Sequence, residues 1–237
     1  MPQSFFIWNG VDCRAMGITM RGPAPIIRAE ERVNHVAIQG RSGDLTETEG
    51  ENIYNSYIQT VSISVRGGIR VNDVYRWLRG SGYVTFSGEP DRKQAARVIG
   101  AITLNKISRN MDRWAGEVQF YCQPLKEAAT QESNIEITSS PGTVTNPGDV
   151  KSKPLIQING SGSITLIAGG QTLILTGVVS GWKIDAETGW ILNASGEPQY
   201  GVCQGSPEKI RFPVGNSAVQ WTGSVTKLII TPRWRYL

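Results

Sequence analysis

The sequence predicts a mainly β protein of two domains, with short helices confined to the first. Three observations carry that reading. Apolar and polar residues alternate at strand spacing, as where Val61, Ile63 and Val65 are set against Ser62 and Ser64. The 27 Gly and 12 Pro among 237 residues supply turn signals at close intervals. Charge density also drops part-way along: residues 1–132 carry 16 basic and 14 acidic groups, residues 133–237 only 8 and 6. Each part is net +2 (16 − 14 and 8 − 6), so density and not sign separates them.

A hydrophobic content of 39% and a charged content of 19% fit a folded chain and not a disordered one. A net charge of +4, spread evenly, is too mild to mark a nucleic-acid binder. No apolar run approaches the roughly 20 residues that span a bilayer, so no membrane association is expected. Met1-Pro2-Gln3-Ser4 lacks the basic start of a secretory signal, and folding in a cytosol is expected. Cys13, Cys122 and Cys203 form no CxxC pair; they are read as free thiols, one bridge being the alternative.

In the first domain, Ser4–Trp8 reads as an edge strand ended by the turn Asn9-Gly10. Val33–Ile38 alternates and reads as a strand, followed by the turn Gly40-Arg41-Ser42-Gly43-Asp44. That turn opens an excursion, Asp44–Tyr57, read as an arm or hairpin that reaches a neighbouring copy. Glu47, Glu49 and Glu51 would share one face of it, either solvated or meeting a partner's arginines. Val61–Val65 is a strand. Asn72 or Asp73 is expected to cap a short helix that turns Val74, Trp77 and Leu78 to one side, with Gly80 stopping it. Tyr83–Phe86 is a strand, and Pro90-Asp91 is expected to open a second helix through Ala95, Ala96 and Val98 to Gly100. Ile102, Leu104 and Ile107, then Trp114, Val118 and Phe120, supply two final strands.

The join falls within Gln131–Pro154, where Ser139-Ser140-Pro141-Gly142 and Asn146-Pro147-Gly148 signal turns. Ile135, Ile137, Val144 and Val150 there suggest short strands. Beyond it, Leu155–Ile158, Ser163–Ile167 and Thr172–Leu175 read as strands separated by Gly-rich turns. Gly181–Ile184 and Trp190-Ile191-Leu192 flank the hairpin signal Asp185-Ala186-Glu187-Thr188-Gly189. Pro213–Ser217 is a loop between these and the strands Ala218–Trp221 and Val225–Pro232. Short strands at regular spacing, with no helical pattern after Gly100, point to a β-sandwich.

Few residues offer chemistry. His35 is the only histidine, so any relay has a single base, and its place in an alternating strand favours a structural role. Asp185 and Glu187 lie in a hairpin turn; an acid–base pair or a cation site is the sharper reading, turn formation the plainer one. Gly67-Gly68, Gly160-Ser161-Gly162 and Gly169-Gly170 open no helix after a strand, so they read as turns and not phosphate cradles. Trp182, Trp190, Trp221 and Trp234 either pack the sandwich core or stack on a sugar. Arg233-Trp234-Arg235 forms no reading helix, which argues against groove recognition of DNA. No catalytic, cofactor-binding or metal-binding residue is expected, and no cofactor.

Several stretches carry a resemblance in the right order along nearly the whole chain. They are Phe5-Phe6-Ile7-Trp8-Asn9-Gly10-Val11-Asp12-Cys13 with Met16-Gly17-Ile18, then Gly40-Arg41-Ser42-Gly43 and Val74-Tyr75-Arg76-Trp77-Leu78. Gly82–Ser87 with Pro90-Asp91, and Val118-Gln119-Phe120-Tyr121-Cys122-Gln123-Pro124, follow. Pro154–Gly160, Phe212-Pro213-Val214-Gly215-Asn216-Ser217 and Thr231-Pro232-Arg233-Trp234-Arg235 complete the set. Together they resemble the distal tail protein (Dit) family of siphophages. The resemblance implies a β-barrel-like, ring-forming belt domain over residues 1–132 and a galectin-like β-sandwich over residues 133–237. It implies a non-enzymatic structural subunit of the virion tail tip, assembled in the bacterial host cytoplasm. Its implied partners are a homo-hexamer, the tail tube protein, the baseplate hub or tail fibre protein and the tape measure protein, with DNA passing through the channel unread. The alternative is a carbohydrate-binding sandwich that recognises host cell-wall polysaccharide through Trp190 or Trp221.

Overall fold

The computed structural model describes residues 4–48 and 50–237; residues 1–3 and Glu49, with the face assigned to it, lie outside. The chain divides into two compact units, one running to Thr130 and taking in Leu237, the other Gln131–Tyr236. Both are β-rich.

The first unit comprises β1 (Phe6–Trp8), β2 (Val11–Asp12), β3 (Ile18–Met20), β4 (Val33–Val36), β5 (Leu45–Thr48) and β6 (Tyr57–Val65). The helix α1 (Val71–Trp77) follows, then β7 (Ser81–Phe86), β8 (Arg92–Ile99), β9 (Leu104–Ser108) and β10 (Met111–Ala128). A curled sheet runs β2-β1-β7-β8-β10-β6-β3, with β9 also paired to β10. Its ends, β2 and β3, do not pair with each other, so the curl stays open. Alternation along β6 and β10 buries Val61, Ile63, Val65, Val118, Phe120 and Cys122 on one face. Phe120 is the centre of an aromatic cluster, 5.5 Å from Phe6, 5.4 Å from Trp8 and 5.8 Å from Phe86 between ring centroids. Helix α1 adds Val74, and Trp77 stacks on Phe6 at 5.7 Å.

Three expectations for this unit are corrected. Ser4–Trp8 is no edge: β1 pairs with β2 on one side and β7 on the other, through the two-residue turn Asn9-Gly10 at φ 50° and 80°. The segment expected to form a second helix from Pro90 to Gly100 is the strand β8, held between β7 and β10. Two ladders of backbone hydrogen bonds override the helical leaning of Ala95 and Ala96. Helix α1 begins earlier than predicted, with Arg70 at its N-cap and no side-chain cap, which leaves Asn72 and Asp73 inside its first turn.

The second unit comprises β11 (Ile135–Ile137), β12 (Gly142–Asn146), β13 (Leu155–Ala168), β14 (Gln171–Val178), β15 (Trp182–Asp185), β16 (Trp190–Leu192), β17 (Cys203–Gln204) and β18 (Gly215–Thr231). Two long strands, β13 and β18, pair along most of their length and serve both layers. The first half of β13 pairs with β15, and β15 with β16. The second half pairs with β14, and β14 with β17. Strands β11 and β12 pair with opposite ends of β18. The apolar faces of both layers meet in one core, from Ile156, Ile158, Ile164 and Leu166 to Leu173, Leu175, Leu228 and Ile230.

What reads as a turn at Gly160-Ser161-Gly162 is a bulge inside β13. Register slips at Asn159/Gly160 and again at Ser161/Thr165, facing Gly223 of β18 at φ 99°. Burial parity in β18 flips across it, from Val219 on the odd positions to Leu228 and Ile230 on the even. By contrast Gly169-Gly170, at φ 56° and 77°, is the two-residue turn joining β13 to β14.

Candidate functional site

A site in this protein has to be sought on what the two cores leave outside. In the first unit that is a hairpin. Strands β4 and β5 pair only with each other, as a two-stranded sheet separate from the curled one. The hairpin thus begins at Val33 and not at Asp44, and the turn residues Gly40-Arg41-Ser42-Gly43 are its tip. Asp44–Tyr57 contributes the returning strand and the descent to the body. Both strands are largely exposed, and Val36, Ile38 and Leu45 are apolar side chains left in solvent. Its root is firm. Arg32 N donates to Ile53 O (2.9 Å), Asn55 N to Glu30 O (2.8 Å), and Glu31 bridges Tyr54. The preceding segment is tied to the curled sheet by buried groups: Gln59 Nε2 donates to Pro25 O (2.9 Å), and Lys126 Nζ to Ile27 O (3.5 Å) and Glu89 (2.7 Å).

On the polar face of β6 and β10 an open groove of ≈ 700 Å³ is lined by Arg21, Ser62, Asn105, Glu117 and Gln119. His35 sits in the exposed hairpin, its Nδ1 3.1 Å from Thr46 Oγ1 across the strand pair. Neither a carboxylate nor a thiol approaches it in the contacts of the described residues. Among those residues, no group of three His, Cys, Asp or Glu is arranged to hold a metal ion. The three thiols are free, Cys13 and Cys122 buried and Cys203 half-buried. Burial pushes the Cys122 thiol up to about 12.

In the second unit, Asp185 and Glu187 are bound by the C-terminal arginines. Arg233 donates to both Asp185 oxygens (2.6 and 3.4 Å) and to Glu187 (3.3 Å), and Arg235 lies 3.8 Å from Glu187. This cluster pins the β15–β16 turn to the C-terminal segment, and it occupies the arginines considered above for DNA. Burial pushes the Asp185 carboxyl up, but hydrogen bonds from Arg233 and from the Glu187 and Thr188 amides, with the Arg233 charge, outweigh it, and the net shift is downward. A depressed carboxyl stabilises the fold above its unfolded value, about 3.9, and that contribution is lost as pH falls through the lower folded value. The parent protein is therefore expected to melt higher than Asp185→Asn at neutral pH, with the gap narrowing below about pH 4. Melting curves of both proteins between pH 2 and 7 test this; a gap independent of pH would refute the assignment.

Of the four sandwich tryptophans, Trp182 and Trp234 are buried and Trp221 packs against the core. Trp190 is 45% exposed, with its ring centroid 6.1 Å from that of Tyr200. The sequence does not point to Tyr200: its place in a loop of Gly, Pro and polar residues gives no periodic signal.

No protein-family model matches the sequence, and no curated protein does. The fold is more informative. The SPP1 Dit protein (gp 19.1), described as a paradigm of the hub adsorption apparatus in phages that infect Gram-positive bacteria, superposes with a TM-score of 0.74. The match covers 99% of each chain at 18% identity. The fold is that of a distal tail protein. The Dit fold thus extends over both units of this chain, curled sheet and sandwich alike, as the ordered motifs imply.

Proposed function

We propose that the chain is a structural Dit subunit of a phage tail, which forms a hexameric ring joining the tail tube to the baseplate hub or tail fibre. The ring surrounds a channel through which DNA passes without sequence recognition, and the tape measure protein is a further neighbour. The observation that carries this reading is the Dit fold over 99% of both chains. The physics of the first unit supports it. An open curled sheet and a free hairpin leave backbone donors and acceptors that need pairing. A neighbour related by a rotation that closes supplies it, and a cyclic oligomer results. The hairpin carries Arg41, Asp44 and Glu47 and the polar groove Arg21 and Glu117, so each offers charges of both signs to a neighbouring copy.

Nothing in this job calls for turnover, in keeping with a lone exposed histidine and carboxylates held by arginines. Mass measurement in solution with negative-stain imaging, on the purified protein and on virion tails, tests the proposal. Sixfold rings are expected; a monomer in both settings would sink it.

A further inference from the structure

We propose that the groove beside Trp190 is a binding site for neutral hexopyranose residues of a polysaccharide. The inference goes beyond the adaptor role and does not depend on it. The groove holds ≈ 430 Å³ and is walled by Trp190, Gln199, Tyr200, Cys203, Pro207 and Glu208, within the size range of small-ligand sites.

Its aromatic residues are held outward by the fold. Alternation in β16 buries Ile191 and turns Trp190 to solvent. Tyr200 is 78% exposed although its loop is fastened on both sides: Gln199 N donates to Ile191 O (2.8 Å), and Thr176 N to Val202 O (2.9 Å). The turn Pro207–Lys209 is anchored by buried Pro207 and sets Glu208 at the rim. Walls built on a strand, a tethered loop and an anchored turn give a site formed before the ligand arrives, which lowers the ordering cost of binding.

The chemistry selects the ligand. A pyranose presents one face of C–H bonds with partial positive charge, and this meets the negative face of an indole or phenol ring. Its hydroxyl groups donate to the Glu208 carboxylate, a charge-assisted hydrogen bond. No lysine or arginine lines the groove, so a phosphate- or carboxylate-bearing polymer would meet a like charge with nothing to offset it. Trp221, packed on the core, takes no part.

Calorimetry of the full chain with maltohexaose, cellohexaose, laminarihexaose and chitohexaose tests the site. One or more of them is expected to bind once per chain. Affinity should fall at least about tenfold in Trp190→Ala, the loss of roughly 1.4 kcal/mol. Tyr200→Ala, which removes an aromatic ring that is 78% exposed and spares the fold, should weaken the same sugar, and so should Glu208→Gln. Absence of binding at millimolar sugar, or full binding by both aromatic variants, overturns the proposal. So does a Trp190→Ala protein that binds no less sugar yet loses a tail partner, since the groove is then a protein seat. A chain that binds sugar through Trp190 but never forms rings leaves this inference standing and removes the adaptor reading alone.

Discussion

Gly223→Val is expected to destabilise the sandwich unit by roughly 4 kcal/mol. Gly223 sits at φ 99°, a conformation that costs a residue with a side chain about 1–3 kcal/mol. Its missing side chain also leaves the space through which β13 passes: a Cβ there would collide with the Ser163 carbonyl oxygen and crowd Ile164 Cα at 3.2 Å. Backbone cannot rotate away as a side chain can, so the strand pair must separate, adding roughly another 1–3 kcal/mol for overpacking. The total, on the order of 4 kcal/mol, is a large part of the 5–15 kcal/mol by which domains are typically stable. The long pair β13–β18 also serves both layers, so the damage is not local. Urea denaturation followed by near-UV circular dichroism gives the readout, since most of the tryptophans in this unit are packed. Gly162→Ala supplies the control. It shares a positive φ of 81° but has open space around it, and should cost only about 1 kcal/mol. A Gly223→Val protein with near-parental stability would mean that the two strands do not cross at this bulge.

The bulge also shows where the sequence is readable and where it is not. Alternation finds most strands, because burial on one face leaves a two-residue period in β6, β10 and both halves of β13. The Asn9-Gly10 turn is equally plain, since its residue types answer a backbone demand. What a single strand cannot disclose is its partner. Gly160-Ser161-Gly162 looks like a turn until β18 is laid beside it, so two short strands are read where one bent strand runs. Ala95 and Ala96 look helical until β7 and β10 close on either side. The same holds for the sites. Asp185 and Arg233 are remote in sequence and meet only through the pairing of β13 with both β15 and β18. Trp190 is legible as an aromatic in a hairpin, whereas Tyr200 joins it only because its loop is tied to β16 and β14.

If the proposed ring forms, excising the hairpin is expected to convert it into monomers without unfolding the chain. The cut that tests this follows from the root. Residues 33–52 can be replaced by Asn-Gly, which joins Arg32 to Ile53 in a tight turn, because Glu31 already faces Tyr54 and Arg32 N already donates to Ile53 O. The excised part contributes none of the buried residues of the first core, so the melting temperature should move little. Assembly should move a great deal. Each copy loses the exposed Val36, Ile38 and Leu45 together with two strand edges, and in a closed ring every interface repeats that loss. Light scattering at matched concentration separates the outcomes. A hexamer that survives the excision would rule out the hairpin as the ring contact and leave the open ends β2 and β3 of the curled sheet as the candidates. Replacing only the tip, Gly40-Arg41-Ser42-Gly43, distinguishes the two ways the hairpin can act. If pairing of its strand edges holds the ring, the tip variant stays hexameric; if the tip plugs a neighbour's groove, it dissociates as the full excision does.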